Sequence, residues 1–288
     1  MTRKRQVMDF HLFRKIIDEC GQHHAFRILP FLHGETLLVP NVLDYFRYIR
    51  RASPRSHINL TTNGSKLTGE ISERILREDL IDSLVISVEG ADPETYESIR
   101  VGLSFREVRE NFLEFIRLRR QLGKRSPKVS MAMVVVDQNR HSKAEFAKTW
   151  KEADEIRFSV FFNWAGKLEG QGEKSPGRIN FCERLYHYMT ILADGRAAMC
   201  CFDSEGEYIV GDAGRQTLSE IWHSPEFLRV RRQLFDKDFN RLKLCARCDF
   251  IRHPAWTSPL IRIRPYFQKK LPGLANALDG VYKRLVVR

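Results

Sequence analysis

Four cysteines, Cys182, Cys200, Cys245 and Cys248, are the residues in this chain whose type and spacing point most directly to chemistry. They read C-x17-C and then, after 44 intervening residues, C-x2-C; Gly195 makes the first part C-x12-G-x4-C. Four soft thiolates from two separated segments can close a tetrahedral site, the ligand count of a [4Fe–4S] cluster or a structural zinc. A C-x2-C step lets one short loop aim two sulfurs at one metal. Zinc shares the ligand set, so cysteine identity alone leaves both metals open.

The residues between the first two cysteines suggest how they could converge. In YMTILADGRAAMC, residues 188–200, apolar runs flank Asp194-Gly195, a favoured two-residue hairpin turn. Such a loop would place Cys200 opposite Met189. Because strand side chains alternate faces, only one of Cys200 and Cys201 can join the site. Cys200 is the expected ligand and Cys201 a small buried apolar residue. Cys20 lies in DFHLFRKIIDEC, which has helical periodicity, and is expected in the core. A disulfide framework is a poor reading for a chain of this size with no signal-peptide pattern.

The elements that would carry a site alternate through the first 165 residues. Strand-like RILPFL (27–32), INLTT (58–62), SLVISV (83–88), KVSMAMVVV (128–136) and EIRFSVFF (155–162) are separated by amphipathic helical patterns. Near-continuous apolar strands with helical crossovers predict a parallel sheet, whose ligand sites lie at the C-terminal strand ends. Three of those ends carry distinctive turns: LHGET (32–36), LTTNGS (60–65) and ISVEGADPETYESIR (86–100). In LTTNGS a strand-to-helix loop is expected rather than a hairpin, because helical sequence follows. The Gly- and charge-rich GKLEGQGEKSPGR (166–178) reads as a linker.

These turns, in this order and followed by the cysteine module, resemble the radical S-adenosylmethionine enzymes that carry a SPASM or one-cluster "twitch" extension. HGETLL is similar to the family's G-G-E-P turn, LTTNG to its T-N-G loop, and ISVEGADPETYESIRVG to its fourth-strand segment. The resemblance implies that Gly34 and Glu35 hold the cofactor's ammonium, and that Asn63, Ser87 and Arg100 line the remainder of its site. It also implies that Cys182, Cys200, Cys245 and Cys248 hold one auxiliary [4Fe–4S] cluster. Position 254, where the two-cluster form continues with cysteine, is proline. His33, Thr36 and Glu89 are smaller departures from the family pattern.

The family's radical chemistry uses a C-x3-C-x2-C loop after the first barrel strand, and TRKRQVMDFHLFRKIIDE (residues 2–19) resembles the segment that follows it. The expectation is therefore that the loop and first strand are encoded upstream of Met1. The chain as read would then hold only the auxiliary cluster, would bind S-adenosylmethionine only with the missing cluster, and would be inactive in radical generation. The implied fold is α/β: a partial (β/α)-barrel of parallel strands over residues 1–165, lacking its first strand. The linker (166–178), a cysteine-rich α+β extension (179–250) and a basic tail (251–288) follow. The implied function of the complete form is an oxidoreductase, or a peptide- or small-molecule-modifying enzyme, using a deoxyadenosyl radical and a flavodoxin or ferredoxin reductant. The alternatives are a non-catalytic paralogue that binds a peptide or protein, and a zinc-binding module.

Composition agrees with a cytoplasmic globular protein: 43% hydrophobic, 29% charged, with no apolar run near the ~20 residues that span a bilayer. The net charge of +12 favours anionic partners. Arginines crowd SFREVRENFLEFIRLRRQLGKR, which reads as a solvated helix face; no aromatic–basic stripe indicates specific nucleic-acid binding. The tail IRIRPYFQKKLPGLANALDGVYKRLVVR could make weak contact with an anionic membrane surface, although packing back on the barrel is the stronger expectation.

Overall fold

The computed structural model describes residues 4, 6–168 and 182–252; most of the linker and nearly all of the basic tail lie outside the described residues. Two compact units are present, one formed by residues up to 161 together with 189–227, the other by 162–188 together with the chain from 228 onward.

In the first unit, five parallel strands pair in sequential order: β1 (Arg27–Ile28), β2 (His57–Thr62), β3 (Ser83–Ser87), β4 (Lys128–Val135) and β5 (Glu155–Val160). Sequential order with every neighbour parallel is the winding of a (β/α) barrel rather than of a doubly wound sheet. The helices are α1 (Phe10–Gln22), α2 (Val42–Ala52), α3 (Gly69–Arg77), α4 (Pro93–Ile99), α5 (Phe105–Gln121) and α6 (Lys143–Thr149).

The period-2 pattern of the strands decides what each face does. Ile58, Leu60, Leu84, Ile86, Val129, Met131 and Met133 are fully buried and join Phe46, Ile49, Ile75, Leu76, Val108, Phe112, Phe115 and Ile116 in one core. Trp150 closes this core edge-on to Phe105 and Phe112 (centroids 5.5 and 5.6 Å), and its indole N–H donates to the Gly90 carbonyl at 3.2 Å. Arg119, almost fully buried, forks onto Asp154 (2.5 and 2.9 Å) and donates to the Pro127 carbonyl, while Asp154 accepts from Val129 N. These bonds tie α5 to the starts of β4 and β5. On the exposed side of α5, Arg106 pairs with Glu110, Arg117 with Glu114 and Arg120 with Glu152, as a solvated helix face would.

Two elements differ from expectation. β1 is two residues, not the six of RILPFL, because Pro30 has no N–H to extend the ladder. The segment following β3 contains α4, started by Asp92, whose carboxylate accepts from Thr95 N at 2.9 Å, with Pro93 in the first turn.

The first unit also holds a small antiparallel sheet of β6 (Thr190–Ile191), β7 (Arg196–Ala198) and β8 (Ile209–Asp212), followed by α8 (Leu218–Trp222). The register Thr190↔Ala198 and the Leu192 N to Arg196 carbonyl bond leave three residues in the loop, not two. Gly195 takes φ +90°, the left-handed position of a three-residue hairpin. α1 anchors this sheet: Lys15 Nζ donates to the Ala213 and Gln216 carbonyls (2.6 and 2.9 Å), and Glu19 accepts from Leu218 N. In the second unit Arg231, on α9 (Pro225–Phe235), donates from Nε to the Leu185 carbonyl of α7 (Arg184–His187), and α10 (Lys243–Arg247) carries Cys245.

Gly90 is a packing constraint that follows from α4: a Cβ there would stand 2.6 Å from Tyr96 N. Gly90→Ala is expected to destabilise the protein by about 1–3 kcal/mol, read as a lowered midpoint in urea denaturation.

Candidate cofactor and cluster sites

The loops at the C-terminal ends of β1 and β2 converge on one carboxylate. Glu35 Oε1 accepts from Leu37 N (3.1 Å) and from the Thr62 hydroxyl (2.6 Å), and Oε2 accepts from Asn63 N (2.7 Å). Thr62 Oγ1 in turn accepts from Gly64 N at 3.0 Å, and Asn63 Oδ1 accepts from Ser65 N and Oγ. The T-N-G segment is thus a strand-to-helix turn, with Gly64 at φ +83°. A carboxylate offers about four acceptor positions; three are used, and one on Oε2 remains for a cation. At Gly34 a Cβ would meet no protein atom within 4 Å, so the chain's own packing does not demand this glycine.

Past β3, Glu89 is buried and ion-paired to Arg100 Nε, and Asn139, fully buried, donates from Nδ2 to the Glu89 carbonyl (2.9 Å) and the Val134 carbonyl (3.0 Å). Burial opposes charge on Arg100, but the hydrogen bond and charge of Glu89 outweigh it, with Tyr96 and Glu35 adding to the net rise in its pKa. Arg100 and Glu35 therefore share one electrostatic neighbourhood. Glu89 Oε1 and the Tyr96 hydroxyl are buried with no hydrogen-bond partner, and burial pushes the Tyr96 phenol up to about 12. The Ser87 hydroxyl, at the end of β3, has no hydrogen-bond partner among the described residues.

This set suits an amino-acid zwitterion. Glu35 has acceptor capacity for an ammonium, and Arg100 has N–H donors beyond the one on Glu89. Of the residues singled out from sequence, Glu35 and Asn63 are hydrogen-bonded directly and Arg100 is electrostatically joined to Glu35, while Gly34 and Ser87 lie on the same edge. Thr62 and Asn139 escaped the sequence reading. Thr62 is part of the quoted turn, but nothing marked its hydroxyl as the clasp on Glu35; Asn139 acts across 50 residues, which no local pattern records.

The cysteines divide between the units. Cys182, Cys245 and Cys248 are buried in the second unit. Burial, with the neighbouring thiols adding to it, pushes the Cys245 thiol up to about 12. Burial likewise pushes Cys248 up to about 11, against backbone N–H bonds to its sulfur from Phe250 and Ile251. Cys200 belongs to the first unit, just past β7, and is half-buried; Cys201 is half-buried too, rather than the core residue expected. Cys20 packs against the core as expected, its thiol raised to about 11, mainly by burial. No three His, Cys, Asp or Glu side chains among the described residues stand in metal-bonding geometry. The fit to a metal rests on the donor set: three buried, mutually interacting thiols, one already receiving the N–H···S bonds that stabilise a thiolate.

Residues 1–149 match the radical SAM superfamily, and residues 182–249 match SPASM, an iron–sulfur cluster-binding domain. The chain belongs to the radical SAM superfamily. Its SPASM domain contains all four cysteines of the spacing pattern. No curated protein matches this radical SAM chain in sequence. Among solved structures, BtrN in complex with AdoMet and 2-DOIA aligns with TM-score 0.58 at 19% identity, over 85% of this chain and 82% of that one. Native anSMEcpe with bound AdoMet aligns with TM-score 0.62 at 13% identity, over 97% and 93% of the two chains. A further anSMEcpe structure, with AdoMet and the Kp18Cys peptide, aligns with TM-score 0.58 at 14% identity, over 84% and 81%. At these identities the likeness shows the fold: a five-stranded parallel partial barrel with a small antiparallel C-terminal sheet. No helix among the described residues is long and apolar enough to cross a membrane.

Two outcomes follow from the site's bonds. Thr62→Val removes the clasp on Glu35 and leaves Gly64 N unpaired; a loss of about 1–3 kcal/mol in denaturant titration is expected. Burial alone would raise Glu155, but hydrogen bonds and charge from Arg157 and Lys128 outweigh it and bring its pKa from 4.5 down to about 2. Because the folded value is depressed, the stabilisation is complete above 4.5 and is lost as pH falls toward about 2. Glu155→Gln should flatten the stability–pH profile in that window.

Proposed function

We propose that this chain belongs to a radical SAM/SPASM enzyme that holds an auxiliary [4Fe–4S] cluster at its cysteines and, together with the N-terminal cluster loop, binds S-adenosylmethionine at the C-terminal edge of its parallel sheet. The observation that carries the cofactor assignment is the Glu35 carboxylate, clasped by the ends of β1 and β2 with one acceptor position left and with Arg100 in electrostatic reach. In this reading Glu35 takes the methionine ammonium and Gly34 leaves room for it. Ser87 and Arg100 face the carboxylate and ribose, and Asn63 holds the turn. Thr62 and Asn139 are positioning residues, because they act through Glu35 and through the Glu89 backbone. When bound, the cofactor with a reducing cluster supplies hydrogen-atom abstraction; the chain's own part is to bind, orient and exclude water.

Cys182, Cys245 and Cys248 are the proposed cluster ligands of the second unit, and Cys200 is the fourth thiolate by spacing. The substrate is a small molecule or a peptide, the classes named with the structural relatives.

The deciding measurement is metal and sulfide content of protein purified and reconstituted without oxygen. For one auxiliary cluster, about four irons and four sulfides per chain are expected, lost in a Cys245→Ala, Cys248→Ala variant. About one zinc without sulfide would overturn the cluster assignment. At the sheet edge, Glu35→Gln in a form that carries the N-terminal C-x3-C-x2-C loop should weaken S-adenosylmethionine binding by about tenfold or more in calorimetry, the worth of a charge-assisted hydrogen bond.

A further inference from the structure

The side of the sheet turned away from the helices is polar. His57 Nε2 and Asn59 Nδ2 meet the Ser83 hydroxyl at 2.9 and 2.7 Å, and Thr61 donates to Asn59 at 3.1 Å. Farther along the same face, Glu155 Oε2 gathers Lys128 Nζ (2.9 Å), Ser130 Oγ (3.2 Å) and Arg157 (2.8 Å). Barrel interiors are ordinarily filled by branched apolar side chains, so a polar face here calls for an occupant with polar groups of its own.

One row of this face has the layout of a binding saddle. The register Ser87↔Ala132 and Ala132↔Arg157 places the three residues side by side on adjacent strands, all pointing the same way. With strands ~4.8 Å apart, Ser87 and Arg157 stand about 10 Å apart across the small Ala132. The Arg157 side chain is 42% exposed and uses one terminal nitrogen on Glu155; its remaining N–H donors have no partner among the described residues. Two cations, Lys128 and Arg157, against the single Glu155 carboxylate leave this end of the face net positive.

We infer that Arg157 is a substrate-anchoring residue: it receives an oxyanion, a carboxylate or phosphate, of a small polar substrate that lies over Ala132 toward Ser87. A guanidinium with a free fork is suited to planar bidentate capture of such a group. Glu155 holds the arginine on this face, and the lack of a side chain beyond Cβ at Ala132 gives the substrate its floor. The inference rests on the cofactor reading above, because Ser87 is the cofactor-side member of the row.

The test is calorimetric binding of glycerol 3-phosphate and of glutarate to the reconstituted full chain at fixed ionic strength, with glycerol as the uncharged control. At least one anion is expected to bind well above glycerol, about fivefold or more weaker in Arg157→Gln, partly recovered in Arg157→Lys and within about twofold of wild type in the surface variant Arg106→Gln. The preferred anion identifies the group as phosphate or carboxylate. Equal binding by wild type and Arg157→Gln overturns the inference. So does loss in Arg100→Lys alone, which would put the anion in the cofactor site. S-adenosylmethionine affinity is measured on the same proteins and should be unchanged by Arg157→Gln. If Arg157-dependent anion binding persists in a protein whose cysteines carry zinc without sulfide, the radical reading fails and the anion site stands.

Discussion

Burial of alternate residues of β2, β3 and β4 against α2, α3 and α5 is the constraint from which the rest of the first unit follows. Leu60, Leu84, Ile86, Met131 and Met133 have no exposure to lose, and a slip of one residue in any strand would drive a polar neighbour into their place. Once register is held on the helix side, the opposite side is determined as well. Ser83, Ser87, Ser130 and Arg157 must then face the interior, in rows. The same register brings the strand ends to one edge, where a parallel sheet exposes its backbone polar groups to the following loops.

At that edge a few charged and amide groups join loops far apart in sequence. Glu35 binds the ends of β1 and β2, and Asn139 ties the loop after β4 to the loop after β3. Glu89 and Arg100 hold each other's charge in a largely dry environment, which costs desolvation and is offset by the pairing. Orphaned atoms at Glu89 and Tyr96 mark where pairing within the chain stops. A ligand with charges of both signs can complete what the protein leaves open.

The cysteine region follows a different logic. Its strands are short, and its glycine-bearing hairpin is held to the barrel unit by α1, through Lys15 and Glu19. The second unit encloses three buried thiols, and burial raises the pKa of Cys245 and Cys248.

Much of this was legible in sequence. The strand runs, the helical periodicities, the T-N-G turn and the cysteine spacing are local patterns with local physical causes, and they implied the parallel sheet, its ligand edge and the family. Local chemistry also explains the misjudged details, though it took the structure to expose them: Pro30 cut β1 short, Asp92-Pro93 opened a helix, and the Asp194-Gly195 hairpin took three residues. What no local pattern could reveal is pairing across distance. The clasp of Thr62 on Glu35, the reach of Asn139 to Glu89, the division of Cys200 from Cys182, Cys245 and Cys248, and the row Ser87–Ala132–Arg157 all depend on strand register and chain crossover. Those are set by burial summed over the whole sheet, a quantity that no single stretch of sequence contains.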